Sequence, residues 1–148
     1  GGSLYHHIKS KDALFIELHN RALDRAEALI EAAVSRHDDP WDRLEAACRA
    51  LLEIQLAPDS LTQPLMNDFR EVPEDVRLQL VARRDAFEEP FRALVGALPL
   101  PPEIDRSIYR NLLLSLLNDA DNWYRPGRLS PAGVAQQVVR IFRHEAEA

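Results

Sequence analysis

Residues Lys11–Arg36 read KDALFIELHNRALDRAEALIEAAVSR, a run with neither proline nor glycine. Leu14, Leu18, Ala22, Ala26, Leu29, Ile30 and Ala33 recur mostly at steps of three and four, the period that gathers apolar side chains on one face of an α-helix. At ~1.5 Å per residue such a helix is about 39 Å long, enough to act as the spine of a bundle. Ser10 stands where an N-cap would open it, and Asp12 puts negative charge in its first turn. On this reading Gly2–Lys9 is the end of a preceding helix.

The same period continues downstream, punctuated by the 10 prolines. Asp39-Pro40 has the form of an N-cap followed by proline at the first helical position, and predicts a helix carrying Leu44, Ala47, Cys48, Leu51 and Ile54 up to Pro58. A shorter helix is expected over Asp59–Glu71, bent or interrupted at Pro64. A longer one opens at Val72-Pro73 with Val76, Leu80, Phe87, Phe91, Leu94 and Leu98 on one side; Pro90 inside it predicts a kink or break near Glu89. Pro102 marks the start of a helix over Glu103–Trp123, where Ile104, Ile108, Leu112, Leu113, Leu114, Leu116 and Leu117 surround most of the circumference and ask for burial on two sides. Ser130-Pro131 caps a last helix with Val134, Val138, Ile141 and Phe142 inward. No alternating β-branched run competes. The expected fold is all-α, a bundle of about six to seven helices.

Composition narrows the function classes. The 148 residues hold 46% hydrophobic and 28% charged side chains, ordinary globular usage. With 18 Lys+Arg against 24 Asp+Glu the net charge is −6, so any nucleic-acid contact has to be local. One cysteine cannot make an internal disulfide framework and fits a reducing cytoplasm. No apolar run reaches the ~18–20 residues of a membrane-spanning helix, and the N-terminus lacks a secretory leader pattern. A cytoplasmic protein with no membrane partner is expected.

The most specific motif is Gly2-Ser3-Leu4-Tyr5-His6-His7-Ile8-Lys9-Ser10-Lys11-Asp12-Ala13-Leu14. It resembles the end of the helix-turn-helix head of TetR-family transcriptional regulators, where a leucine-tyrosine pair, a two-residue aromatic or histidine segment, an apolar residue and spaced lysines close the recognition helix. The chemistry suits a DNA backbone: a phenol, two imidazoles and two ammonium groups close together can all donate to phosphate. The resemblance implies DNA contacts at Ser3, Tyr5, His6, His7 and Lys11, with Lys9 a further phosphate ligand, and Leu4 and Ile8 facing inward. It divides the chain into residues 1–10, the remnant of the head, and 11–148, a ligand-binding and dimerisation domain. Operator DNA binding needs about 40 further residues before this point, because the recognition helix is held in the groove by its supporting helix.

A second resemblance runs from Asn118-Asp119-Ala120-Asp121-Asn122-Trp123-Tyr124-Arg125-Pro126-Gly127-Arg128-Leu129 to Ser130-Pro131. It is similar to the penultimate-to-final helix junction in TetR-family members that sense acyl-coenzyme A or other lipid-like ligands. Trp123 and Tyr124 either lock this turn or touch ligand. The resemblance implies a homodimer through the last two helices, with Leu113, Leu116, Leu117, Val134, Val138 and Phe142 as its interface. It also implies a pocket among the central helices. Leu51, Gln55, Met66, Phe69, Phe87, Phe91, Asn111, Ser115 and Asn118 are the candidates; an apolar residue at such a place is more often plain core than ligand contact, and the polar ones need a ligand, water or chain as partner. Arg70 could meet a carboxylate or phosphate.

Catalytic patterns are weak. HExxH, ExxH pairs, GxSxG, Walker A and GxGxxG are absent, His19, His37 and His144 lack metal-ligand spacing, and Cys48 lies on an apolar stripe. Arg83-Arg84-Asp85 and Glu88-Glu89 read as solvated helix faces. The expected function is a non-enzymatic, cofactor-free, ligand-responsive transcriptional regulator with a small hydrophobic or acyl-type effector, and the resemblance implies a repressor. The alternatives are a dimeric adaptor or a helical-bundle enzyme acting on a hydrophobic substrate.

Overall fold

In a computed structural model the described residues are 2–57 and 72–147, with side chains given for all of these except 2–5, 7–9 and 144–147. Among them are six helices and no strand: α1 (Gly2–Val34), α2 (Pro40–Gln55), α3 (Glu74–Gly96), α4 (Arg106–Asn118), the single turn α5 (Ala120–Trp123) and α6 (Pro131–Glu147). The expected helix over 59–71, and with it Met66, Phe69 and Arg70, lies outside the described residues.

α2 is the hub. It packs against α1, α3, α4, α5 and α6, while α1 also meets α3, and α3 meets α4. Its composition explains the position: Trp41, Leu44, Ala47, Cys48, Ala50, Leu51 and Leu52 are all buried, so more than one face of the helix is apolar and each face needs a neighbour. The Asp39 carboxylate accepts from the Trp41 and Asp42 amides at 3.0 Å, satisfying two donors of the first turn as the Asp39-Pro40 pair predicts. Arg43 donates to the carbonyl oxygens of Val34 and His37, so the end of α1 and the start of α2 are joined by one guanidinium.

α1 differs from expectation in two ways. It runs unbroken from Gly2 through Ser10, with no cap there; 33 residues at ~1.5 Å give about 50 Å. Its buried side is His19, Leu23, Ala26, Ile30 and Val34, whereas Leu14, Leu18 and Leu29 are exposed. The core stripe is thus turned roughly a quarter-turn from the expected one, at about 100° per residue. A helix this rich in Leu and Ala offers two stripes of similar hydrophobicity, and the packing of α2 and α3 selects between them.

α3 begins after Pro73 as expected and buries Val76, Leu80, Phe87, Phe91, Leu94 and Val95. It is assigned as helix straight through Pro90, so the expected break is absent; Pro90 lies on the exposed side. The start of α4 also moves. Asp105, not Pro102, supplies the cap, its carboxylate accepting from the Ile108 amide at 2.9 Å. The expected helix over Glu103–Trp123 is divided at Asp119 into α4 and α5. Ser130 caps α6 through its Oγ, which accepts from the Gly133 amide at 3.2 Å. Gly127, at φ +127°, makes the turn before it in a conformation that side chains rarely adopt.

Candidate functional site

α4 has three faces. Tyr109, Leu113, Leu114 and Leu117 point into the core; Ile108, Leu112 and Leu116 lie on an apolar outer face; Asn111, Ser115 and Asn118 form a polar strip on the remaining side.

The polar strip faces α3 across an open cleft of about 600 Å³, lined by Arg84 and Glu88 of α3, by Asn111, Leu114, Ser115 and Asn118 of α4, and by Asp119 and Asn122. Gln55, the last residue of α2, lies one hydrogen bond behind this wall: its Nε2 donates to Asn118 Oδ1 at 2.9 Å. Gln55 is 8% exposed, and its Oε1 has no hydrogen-bond partner among the described residues. Sequence reading named Gln55, Asn111, Ser115 and Asn118, and the structure brings all four together. It places Leu51, Phe87 and Phe91 in the core, away from the cleft lining. The reading missed Arg84, Glu88, Asp119 and Asn122; the charged residues of α3 look like any solvated face until α4 is set beside them.

α3 is tied to α1 by charge. Arg83, adjacent to Arg84 in the chain, donates to Asp24 at 2.6 Å and to Glu27 at 2.8 Å. Its side chain is only 18% exposed, and the hydrogen bond to Glu27 is the leading cause holding the guanidinium in its charged form. His19, one face-turn earlier on α1, is fully buried, and desolvation holds its imidazole below the usual histidine range, with the charges of Arg83 and Arg84 acting in the same direction. Burial pushes the Cys48 thiol up to about 12, aided by Glu45, so this side chain is an unreactive part of the core.

The apolar outer face holds Ile108 (60% exposed), Leu112 (59%) and Leu116, with Ile141 of α6 (70%) also exposed. A shallow apolar groove of about 360 Å³, lined by Leu100, Ile104, Ile108, Tyr109, Leu112 and Phe142 among others, continues it. Tyr109 and Phe142 join α4 to α6 in an edge-to-face pair with centroids 5.2 Å apart. Of the interface residues named from sequence, Leu113, Leu117, Val134 and Val138 are buried in the chain's own core, Phe142 is half-buried, and Leu116 lies on the outer face. Trp123 Nε1 donates to the Leu116 carbonyl at 3.1 Å, and the Tyr124 hydroxyl donates to the Leu129 carbonyl at 2.9 Å; both aromatics pin the junction to its neighbours.

At the other end, His6 and Lys11 are exposed on α1, while the side chains of Ser3, Tyr5, His7 and Lys9 lie outside the described set. Among the described residues no group of three or more His, Cys, Asp or Glu side chains is placed to hold a metal ion, and no helix is long and apolar enough to cross a membrane.

Comparison with known proteins places this geometry. No curated protein matches the chain. Among solved structures, the chain is similar to AibR in complex with isovaleryl coenzyme A and operator DNA (TM-score 0.75, 21% identity, covering 93% of this chain and 77% of that one). It is also similar to a TetR-family transcriptional regulator from Bordetella parapertussis 12822 (TM-score 0.73, 20% identity, 95% and 76%). The structure of superantigen pfit has the same fold (TM-score 0.70, 23% identity, 93% and 77%). A family model described as the tetracyclin repressor-like C-terminal domain matches residues 37–145. With most of its length matched by that model and its helices arranged as in these regulators, the chain belongs to the TetR family of transcriptional regulators, of which it carries the C-terminal regulatory domain.

Proposed function

We propose that this chain is the effector-sensing, dimerising part of a ligand-relieved repressor. The observation that carries the reading is the position of the cleft: its α3 wall holds Arg84, and the neighbouring Arg83 is ion-paired to α1, the helix that runs on to the residues resembling the DNA-binding head. An effector lodged between α3 and α4 displaces α3, and the half-buried Arg83 guanidinium carries that displacement to Asp24 and Glu27. Residues 1–10 then belong to the head and 11–148 to the sensor, and Ser3, Tyr5, His6, His7, Lys9 and Lys11 meet operator DNA. In a dimer, two recognition helices must match half-sites ~34–36 Å apart, so a small rotation of each α1 lowers operator affinity. Only an effector with different affinity for the two states does this.

The effector is amphipathic and acyl-bearing in this reading. The cleft wall is mostly polar, and AibR, of the same fold, is complexed with isovaleryl coenzyme A. The dimer forms through the outer face of Ile108, Leu112, Leu116 and Ile141, where two copies of one apolar patch cover each other about a two-fold axis. The protein works in the cytoplasm as a regulator and catalyses nothing.

Titration calorimetry of the chain with isovaleryl coenzyme A, coenzyme A and isovalerate tests the sensor. Saturable binding of the thioester at one site per chain, weaker in Ser115→Leu, is the expected result. Heats of dilution alone for all three compounds would contradict it.

A further inference from the structure

Asn118 stands at a joint. It is the last residue of α4, the chain turns at Asp119 into the single turn α5, and Asn118, Asp119 and Asn122 form one end of the cleft lining. Helix ends fray, so a polar strip that stops at a helix terminus needs support from outside its own helix. Two side-chain hydrogen bonds supply it. Within the rim, Asn122 Nδ2 donates to Asp119 Oδ1. From behind, Gln55 Nε2 donates to Asn118 Oδ1 at 2.9 Å, joining residues 63 positions apart. Gln55 ends α2, the hub helix; it is buried beside the core residues Leu51 and Leu52, and it does not line the cleft. α2 packs directly on α4 and α5, and Leu117 and Ala120, on either side of the joint, are fully buried. The donor is thus fixed on the most enclosed helix of the bundle, and its acceptor belongs to a half-buried residue of the cleft wall.

We propose that Gln55 is a positioning residue of the effector site: it touches no effector, and it holds the Asn118 side chain in one place relative to Asn111 and Ser115. The inference rests on the effector-sensing reading and names a residue behind the wall on which the affinity depends. The gain is preorganisation. An asparagine free to turn loses that freedom when a ligand uses it, and each side chain immobilised on binding costs affinity; a bond made beforehand removes the cost. A buried donor suits the task, because a hydrogen bond in low-dielectric surroundings is stronger than one made in water. A purely structural role for the same bond has a different consequence. Asn118 borders an open cleft, so without Gln55 Nε2 its amide can turn to water and is not orphaned in the core, while an apolar side chain at position 55 joins Leu51 and Leu52. Positioning therefore predicts a loss of affinity with no matching loss of stability.

A double-mutant cycle separates the two. Binding by calorimetry and melting temperature are measured on the wild-type chain, Gln55→Met, Asn118→Ala and the double variant, the probe being whichever of isovaleryl coenzyme A, coenzyme A and isovalerate the wild type binds most tightly. Gln55→Met, which keeps the side-chain length, should weaken binding about three- to ten-fold, the cost of ordering one side chain, and should melt within about 2 °C of wild type. Asn118→Ala, at a half-buried position, should weaken binding at least as much. Adding Gln55→Met to it should change the affinity no further, since Gln55 acts only through Asn118. Wild-type affinity in either single variant, losses that multiply in the double variant, or a melting temperature lowered by more than about 5 °C in Gln55→Met, each overturns the positioning role and leaves the sensor reading standing. Silence of the wild-type chain toward all three compounds overturns both.

Discussion

His19 shows how a single side chain reports on packing. It enters the contact between α1 and α3 fully buried, with desolvation holding its imidazole neutral below the ordinary range and the charges of Arg83 and Arg84 adding to that. In the unfolded chain it titrates at the ordinary value near 6.5. Below that pH the unfolded state binds a proton that the folded state refuses, so stability is full above 6.5 and falls as pH drops toward the depressed folded value. Melting temperature should therefore decline from pH 7.5 to 5.5 more steeply in the wild-type chain than in His19→Leu; parallel declines would show that His19 is not the group responsible. At this scale Gln55, Asn111, Ser115 and Asn118 were legible in the sequence, since each is a polar residue among apolar ones. His19 was not, because a lone histidine on a helix carries no mark of which way it faces. The apolar pocket candidates Leu51, Phe87 and Phe91 have the same signature as any core residue, and core is where they lie.

At the scale of elements, the capping chemistry was the most readable signal. Asp39-Pro40 and Ser130-Pro131 open α2 and α6 where expected, because a cap is a local bond between a side chain and an amide a few residues on. Asp39→Ala should lower stability by about 1 kcal/mol, a fall of roughly 2–4 °C in melting temperature for a chain of this size, measurable by calorimetry; no change would mean the two amides find water equally well. The signals that failed were the ones that depend on neighbours. Ser10 has cap chemistry but sits inside a continuous helix, and Pro102 lost the start of α4 to Asp105, whose carboxylate reaches the Ile108 amide. Pro90 does not end α3, a helix otherwise held by Phe87, Phe91, Leu94 and Val95 in the core on either side of it. A proline costs a helix one bond, which tertiary packing of this kind offsets.

Over the whole molecule, the all-α class and the family were legible, the first from the pervasive period of three and four, the second from short motifs at the two ends. The order of layers was not. The long α1 has the look of a spine, yet α2, shorter and more evenly apolar, is the helix that the others surround. The ring of leucines on α4 announced two buried sides without saying which leucine serves which. The structure assigns Leu113 and Leu117 inward and leaves Ile108 and Leu112 outward, a distinction of one position in sequence that only the placement of α2 and α3 fixes.

That outward face makes the proposal of a sensing dimer testable in one experiment. Native mass spectrometry of the purified chain, alone and with isovaleryl coenzyme A, should give a species of twice 16.8 kDa that takes up ligand, whereas Ile108→Glu/Leu112→Glu should give a folded monomer by circular dichroism and mass. A wild-type chain that stays monomeric at micromolar concentration and takes up no ligand would contradict the account.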